Sequence, residues 1–251
     1  MTSGSNARKQ REEKAAALRA QVEGKERRRR ITIVLSAVTA VLVVVFGIVA
    51  LIQYQTAKSA LAIPAGGTPK NLSSNGILVG KSSAKVTVAL YEDFYCPICK
   101  QFESANRAAL AQYVADGKIK LIYHPVAILD RSTPDGSAYS TRAANITAAV
   151  YTADPTKFQK FHDLLFDNQP EETKTDLSDT QLLGFATQAG VNKEAISAAV
   201  KDQQFKNWVT AGTDQASKDG LPGTPWVKIN GTVFDWAKGN FTAAIDKALA
   251  G

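Results

Sequence analysis

Cys96 and Cys99 are the two cysteines of this 251-residue chain, and two residues, Pro97 and Ile98, separate them. Two thiols at this spacing can form a disulfide with each other and open it again, which is redox chemistry. They follow a strand-like run and open a helix-like one. The positive end of the helix dipole then favours a thiolate at the first cysteine. The segment therefore predicts a redox-active pair.

A structural disulfide and a metal site are the other interpretations of the pair. In the loop-entropy model a bridge that closes about 4 residues stabilises by about 1.9 kcal/mol, against about 4.7 kcal/mol for a loop of about 100 residues. A zinc or iron–sulfur site needs about four Cys or His ligands. The remaining soft ligands, His124 and His162, are far apart in the sequence. The residues favour redox chemistry, and we expect neither a metal nor another cofactor.

The elements around the pair predict different environments for the two thiols. Residues 85–91 are a β-branched, apolar run that predicts a buried central strand. After the pair, apolar residues recur at helical spacing, and Pro97 suits the first position of that helix. Cys96 should then be exposed at the helix N-terminus, and Cys99 should be covered on the inner face. An attacking thiol and a resolving thiol need this asymmetry.

The rest of residues 76–251 predicts a mixed α/β fold. Residues 118–126 alternate like a second strand. A helical insertion is expected at about residues 131–218, with N-caps at Ser178 and Asn192. Asn230-Gly231 predicts a hairpin between two short strands. The helices are predicted at 142–151, 155–166, 179–189, 193–218 and 241–249.

The N-terminal part predicts a membrane anchor. Residues 31–52 are uncharged and apolar; as a helix they would span about 33 Å, against about 30 Å of hydrocarbon. Residues 27–30 are all arginine, which keeps the N-terminus cytoplasmic. A cleaved signal peptide is the alternative, but its apolar core is about 7–15 residues. We expect a tail at 1–30, a transmembrane helix at 31–52, a linker at 53–75 and an exported domain at 76–251.

Most of the formal charge of +7 belongs to the basic tail at residues 1–30. We expect this tail to meet anionic lipid headgroups, and we expect no nucleic-acid binding by the nearly neutral folded part. Disulfides form and persist outside the cytoplasm. The topology therefore places the cysteine pair where thiols of exported proteins are its substrates.

Four segments resemble the thioredoxin superfamily, specifically the DsbA-like thiol:disulfide oxidoreductases. They are the lead-in 76–88, the turn 92–100 (EDFYCPICK), the helix 158–166 (FQKFHDLLF) and residues 223–231. The resemblance implies a thioredoxin fold with an inserted helical domain and a catalytic Cys96–Cys99 pair. It also implies a cis bond before Pro225, with Thr224 and Pro225 binding an extended substrate segment. An ordinary trans turn is the alternative.

The chain departs from the family pattern at two places. The tuning dipeptide is Pro97-Ile98, where a typical DsbA has a histidine, so we expect a less oxidising couple. Leu90 stands where many members have a buried acid, six residues before the first cysteine. Glu92 and Asp93 are candidates to replace that acid as proton acceptor for Cys99, although we favour surface charges for both.

Together, these observations predict a membrane-anchored oxidase that introduces disulfides into exported proteins. The resemblance implies a membrane quinone-linked partner of the DsbB or VKOR (vitamin-K-epoxide-reductase) type that reoxidises the pair. An isomerase or reductase kept reduced by a membrane electron donor is one alternative, and a non-catalytic binding module is another. The intact pair argues against the last. We expect His162 to be a packing or surface residue and His124 to be structural.

Overall fold

Five strands form one mixed sheet in the computed structural model, which describes residues 72, 76–133, 136–171 and 176–251. The order across the sheet is β1-β3-β2-β4-β5. β2 runs parallel to β3 and antiparallel to β4, so the strand that leads into the cysteines is central. The strands are β1 (Ile77–Val79), β2 (Val86–Glu92), β3 (Ile119–Pro125), β4 (Trp226–Ile229) and β5 (Thr232–Phe234).

In the described ranges, the helices lie between β2 and β3, between β3 and β4, and after β5. Five of the helices in the described ranges, α2 to α6, lie between β3 and β4 and form the helical insertion. This arrangement confirms the predicted α/β fold, in which a βαβ unit and a ββα unit flank the insertion. The helices are α1 (Pro97–Ala115), α2 (Tyr139–Ala153), α3 (Phe158–Asp167), α4 (Asp179–Ala189), α5 (Lys193–Lys201), α6 (Lys206–Lys218) and α7 (Phe241–Ala250).

The core lies between the sheet and the helices. Every second residue of β2 is buried, as the pleat of a strand requires. Phe102 of α1 faces this core and contacts the rings of Trp236 and Phe241 edge-on. Leu72, the described residue of the predicted linker, is also buried in the core. The buried core therefore includes this residue as well.

Local signals in the sequence account for several helix and turn positions. Ser178 caps α4 in a capping box with Gln181, and the Asn192 side chain caps α5 through the Glu194 backbone. Asn230 and Gly231 adopt φ angles of 50° and 81°, the left-handed region that a tight hairpin requires. These caps and this hairpin are confirmed.

The predicted helix 193–218 is broken into α5 and α6. Gln203 has a φ of 47°, which ends the first helix. Phe205 is buried, and its backbone N–H donates to Asn145 Oδ1 of α2 at 2.7 Å. A tertiary contact thus overrides the helical periodicity, because burying this ring requires the chain to turn.

The predicted tail and transmembrane helix, residues 1–30 and 31–52, lie outside the described residues. Within the ranges that the structure describes, every helix is too short or too polar to cross a bilayer.

Candidate active site

Cys96 and Cys99 sit at the start of α1, with Cys96 as the N-cap and Pro97 at the first helical position. Both are free thiols. Cys99 is fully buried as predicted, but Cys96 is only 6% exposed, so the prediction of an exposed Cys96 is wrong. Thr224 covers it: the Cys96 thiol donates to the Thr224 carbonyl at 3.4 Å. Ile98, 42% exposed, is the open residue of the motif.

The two thiols have opposite pKa shifts. A hydrogen bond from the Cys99 side chain lowers the pKa of Cys96 to about 6, helped by Thr224 and by backbone groups of Cys99 and Ile98, while burial opposes the shift. Burial raises the pKa of Cys99 well above its ordinary value, and the neighbouring Cys96 and Glu92 charges add to this. The pair therefore contains one readily formed thiolate and one thiol that holds its proton.

The loop before β4 lies against the cysteine turn. The Thr224–Pro225 peptide bond is cis, as the resemblance implies, and the ordinary trans turn is wrong. The Thr224 carbonyl is the group that faces the Cys96 sulfur. Cys96 and Thr224, which are 128 positions apart in the sequence, thus meet at the Cys96 sulfur.

Glu92 and Asp93 are not surface charges, since they are 1% and 0% exposed, and the favoured interpretation is wrong. Glu92 is the last residue of β2, and Asp93 follows it. Asp93 accepts hydrogen bonds from the backbone N–H groups of Tyr95 at 2.9 Å and Leu129 at 3.0 Å. Burial raises its pKa to about 7. Asp93 thus shapes the turn that carries the cysteines.

His162 of α3 pairs with Glu92 inside the protein. Its Nε2 lies 2.6 Å from Glu92 Oε1, and both side chains are buried. Burial opposes a charge on the ring, but the Glu92 carboxylate raises the pKa of His162 well above its ordinary value. Aromatic rings of Phe94, Tyr123 and Phe166 surround it. The packing role expected for His162 is confirmed and the surface alternative is wrong; its ion pair was not predicted.

A family model described as thioredoxin matches residues 72–247. The chain belongs to the thioredoxin family. "Probable disulfide bond formation protein D" of Bacillus cereus is 26% identical over 174 residues, which cover 68% of this chain and 77% of the relative. Within the thioredoxin superfamily the chain is a DsbA-like thiol:disulfide oxidoreductase.

Solved structures of two mycobacterial proteins share this thioredoxin fold. Oxidised DsbA of Mycobacterium tuberculosis has a TM-score of 0.61 and 28% identity, covering 70% of this chain and 94% of that one. Reduced DsbG of the same organism, described as a disulfide bond oxidoreductase, has a TM-score of 0.60 and 27% identity, covering 74% and 95%. The two similarities are nearly equal, so they support the oxidoreductase class without separating oxidase from isomerase.

Glu103 is a buried residue of this thioredoxin domain that the sequence analysis missed. It is 0% exposed, and neither carboxylate oxygen has a hydrogen-bond partner. Burial raises its pKa to about 8, against the lowering effect of His162. A signal existed in the sequence, because Glu103 lies four residues after Cys99 and shares its inner helix face.

Donor atoms of Glu92, Glu103 and His162 lie within 4.8 Å of one another, a spacing that could hold a metal ion. The His162 nitrogen that faces Glu92 is already hydrogen-bonded to it. The pKa values of His162 and Glu103 are both raised, so each favours its protonated form beside Glu92. This charge cluster (Glu92, Glu103, His162) is therefore best described as a buried ion pair beside a neutral acid.

The sequence analysis also missed Gln169, which lies just after α3 and contacts the turn that carries the cysteines. Its Nε2 donates to the carbonyls of Phe94 at 2.9 Å and Cys96 at 3.0 Å. In the sequence, a glutamine that follows an amphipathic helix gives no indication of hydrogen bonds to a distant turn. The contact arises only from the packing of the insertion against the cysteine turn.

Proposed function

We propose that this DsbA-like protein is an extracytoplasmic oxidase that transfers the Cys96–Cys99 disulfide to exported proteins. The contrast between the two thiols is the observation that carries this proposal. Cys96 is 6% exposed and has a lowered pKa of about 6, whereas Cys99 is 0% exposed. A low thiol pKa makes Cys96 a good leaving group and favours the reduced pair, which drives disulfides toward the substrate.

The exchange proceeds in two thiolate attacks. A substrate thiolate attacks Cys96 Sγ, the Cys96–Cys99 bond breaks, and Cys99 leaves with the electron pair and takes up a proton. A second substrate thiolate then attacks the substrate sulfur of the mixed disulfide and expels Cys96 as a thiolate. The substrate loses two electrons in forming its disulfide, and the enzyme pair gains them.

Thr224 and Pro225 are proposed as the substrate platform. The Thr224 carbonyl lies 3.4 Å from Cys96 Sγ, so an extended peptide that pairs with the Thr224 backbone would bring its cysteine to that sulfur. Ile98 projects beside the site and is 42% exposed, which offers an apolar contact to an unfolded segment. Because Pro97 and Ile98 supply no charged side chain, the pKa of Cys96 is lowered by the Cys99 side chain first, and then by Thr224 and the backbone groups of Cys99 and Ile98.

Glu92 is proposed as the group that accepts the Cys99 proton when the pair is reoxidised. Both Asp93 oxygens are engaged by backbone N–H groups, which favours a structural role for Asp93. Glu92 Oε2 has no hydrogen-bond partner, and the Glu92 charge acts on the Cys99 thiol. Oε2 is therefore the oxygen proposed to receive that proton.

The cellular setting is proposed from the N-terminal sequence and the family. Residues 31–52 would anchor the enzyme to the membrane, with residues 1–30 in the cytoplasm and the redox domain outside. Exported protein thiols would be its substrates. A membrane quinone-linked protein of the DsbB or VKOR type would accept the two electrons and restore the Cys96–Cys99 disulfide.

An isomerase or reductase is the second candidate. It would use the same residues, but its cysteine pair would be kept reduced. It is favoured by the Pro97-Ile98 dipeptide, which lacks the histidine of a typical DsbA. The reduction potential of the full chain, equilibrated with glutathione, separates the two. An oxidising value, closer to the roughly −120 mV of a typical DsbA than to the roughly −270 mV of thioredoxin, is expected for an oxidase, and a thioredoxin-like value would contradict it.

Trapping the mixed disulfide tests the assignment of the two thiols. Cys99→Ala, first converted to the disulfide between Cys96 and glutathione, should accumulate a covalent complex with a reduced unfolded substrate: the substrate thiolate attacks Cys96 Sγ, glutathione leaves as the thiolate, and no resolving thiol is present. Cys96→Ala, the matched control, should form none. If Cys96→Ser kept full activity on such substrates, both the oxidase and the isomerase proposals would fail.

A further inference from the structure

Gln169 connects the helical insertion to the cysteine turn. It follows the end of α3 at Asp167, and its side-chain amide reaches the carbonyls of Phe94 and Cys96 at 2.9 and 3.0 Å. One NH₂ group thus donates one hydrogen to each of two carbonyls. These carbonyls belong to residues on either side of Tyr95, so the amide holds the whole turn.

The two carbonyls have few other partners. The turn itself is closed by a bond from Cys96 N–H to the Asp93 carbonyl at 2.9 Å. The Cys96 carbonyl accepts the first helical bond, from Lys100 N–H, at a longer 3.3 Å. Phe94 and Cys96 are both buried, and a buried carbonyl that loses its donor is costly. Gln169 therefore makes the shorter of the two contacts to the Cys96 carbonyl, at 3.0 Å against 3.3 Å for Lys100.

The orientation of this peptide group matters for the sulfur. Backbone groups of Ile98 and Cys99, in the first turn of α1, contribute to the lowered pKa of Cys96. Their direction depends on the N-cap residue, which is Cys96 itself. In the disulfide form the S–S bond restrains the same turn covalently. The two hydrogen bonds from Gln169 thus matter most when Cys96 is a free thiolate.

We propose that Gln169 is a positioning residue, through which the helical insertion holds the redox turn in the orientation that the Cys96 thiolate needs. This inference rests on the proposed redox role of Cys96 and Cys99. Loss of the amide would destabilise the reduced form more than the oxidised form. The couple would become less oxidising, and Cys96 would ionise at higher pH.

Gln169→Met tests the proposal, because methionine has a similar length and no donor. In the full chain, the equilibrium constant for reduction of the enzyme disulfide by glutathione should fall about three- to tenfold, the size of about one lost hydrogen bond. The pH profile of Cys96 alkylation should move upward. Asn168→Ala is the matched control, since Asn168 Nδ2 donates to Leu164 O at the same helix end and should change neither quantity.

A purely structural role gives a different result. If Gln169→Met kept the wild-type equilibrium constant and alkylation profile, with equal losses of stability in the oxidised and reduced forms, the proposal would be overturned. If Gln169→Met did not fold, Gln169→Asn, one methylene shorter, would be measured in the same way. The reduction potential of the wild type tests the oxidase proposal. The difference in potential between variant and wild type tests the positioning role of Gln169, whether the enzyme oxidises or reduces its substrates.

Discussion

The Cys99 side chain makes the largest contribution to the lowered pKa of Cys96, which is about 6 against an ordinary 9.0. Each thiol thus sets the state of the other. Cys99 stabilises the Cys96 thiolate by a hydrogen bond, and the Cys96 charge raises the pKa of Cys99 in return. This mutual effect requires both side chains on the first turn of one helix.

Alkylation of the reduced protein measures the Cys96 ionisation directly. The rate should inflect near pH 6, with modification at Cys96 and none at the buried Cys99. Because the pKa is lowered on folding, stabilisation of the reduced form is present above the ordinary value of 9.0 and is lost as the pH falls through about 6. Cys99→Ala should raise the inflection, and a wild-type inflection near 9 would contradict the assignment.

Residue identity and helix phase were sufficient to predict the cysteine pair and its buried member. They were insufficient for Glu92 and Asp93, because a carboxylate at the end of a strand is usually solvated. Their burial depends on His162 and Leu129, which come from later in the chain. The partial cover of Cys96 by Thr224 likewise depends on a distant loop.

Most elements follow from periodicity and caps, whereas the break between α5 and α6 does not. The turn at residues 202–205 contains Gln203 in the left-handed region, with a φ of 47°. No glycine marks this turn, so the sequence gives no sign of it. The burial of Phe205 against α2 outweighs the conformational cost at Gln203.

Gln203→Gly should stabilise the protein by about 0.5 to 1 kcal/mol, because glycine adopts a positive φ without steric strain. Gln204→Gly is the control: Gln204 is not among the residues with positive φ, so this change should only add freedom to the unfolded chain and destabilise by about 0.5 to 1 kcal/mol. Chemical denaturation measures both free energies of unfolding. Equal losses in the two variants would contradict the strain at Gln203.

At the scale of the molecule, the charge cluster joins the insertion to the thioredoxin part. His162 comes from α3, whereas Glu92 comes from β2 and Glu103 from α1. Asp163 and Arg107 act on the cluster from its edge. The cluster is buried, so its protonation is tied to folding.

Glu103→Gln should flatten the pH dependence of stability. The Glu103 pKa is raised on folding from 4.5 to about 8, so its stabilising protonation is complete below 4.5 and is lost as the pH rises through about 8. The wild type should lose stability relative to Glu103→Gln over this window, by at most about 1.4 kcal/mol per pH unit. Denaturation at a series of pH values measures it. The exposed Glu194→Gln is the control, and parallel curves for wild type and Glu103→Gln would contradict the shift.

The strands at the two borders of the sheet, β1 and β5, are only three residues long. A protein that handles unfolded chains meets many exposed strand-like segments, which add readily to a long free border. Short borders offer few unpaired backbone groups to such segments. Under the proposed function, the sheet is thereby protected from co-aggregation with substrate chains, and backbone pairing with a substrate is left to the Thr224 loop beside the sulfur.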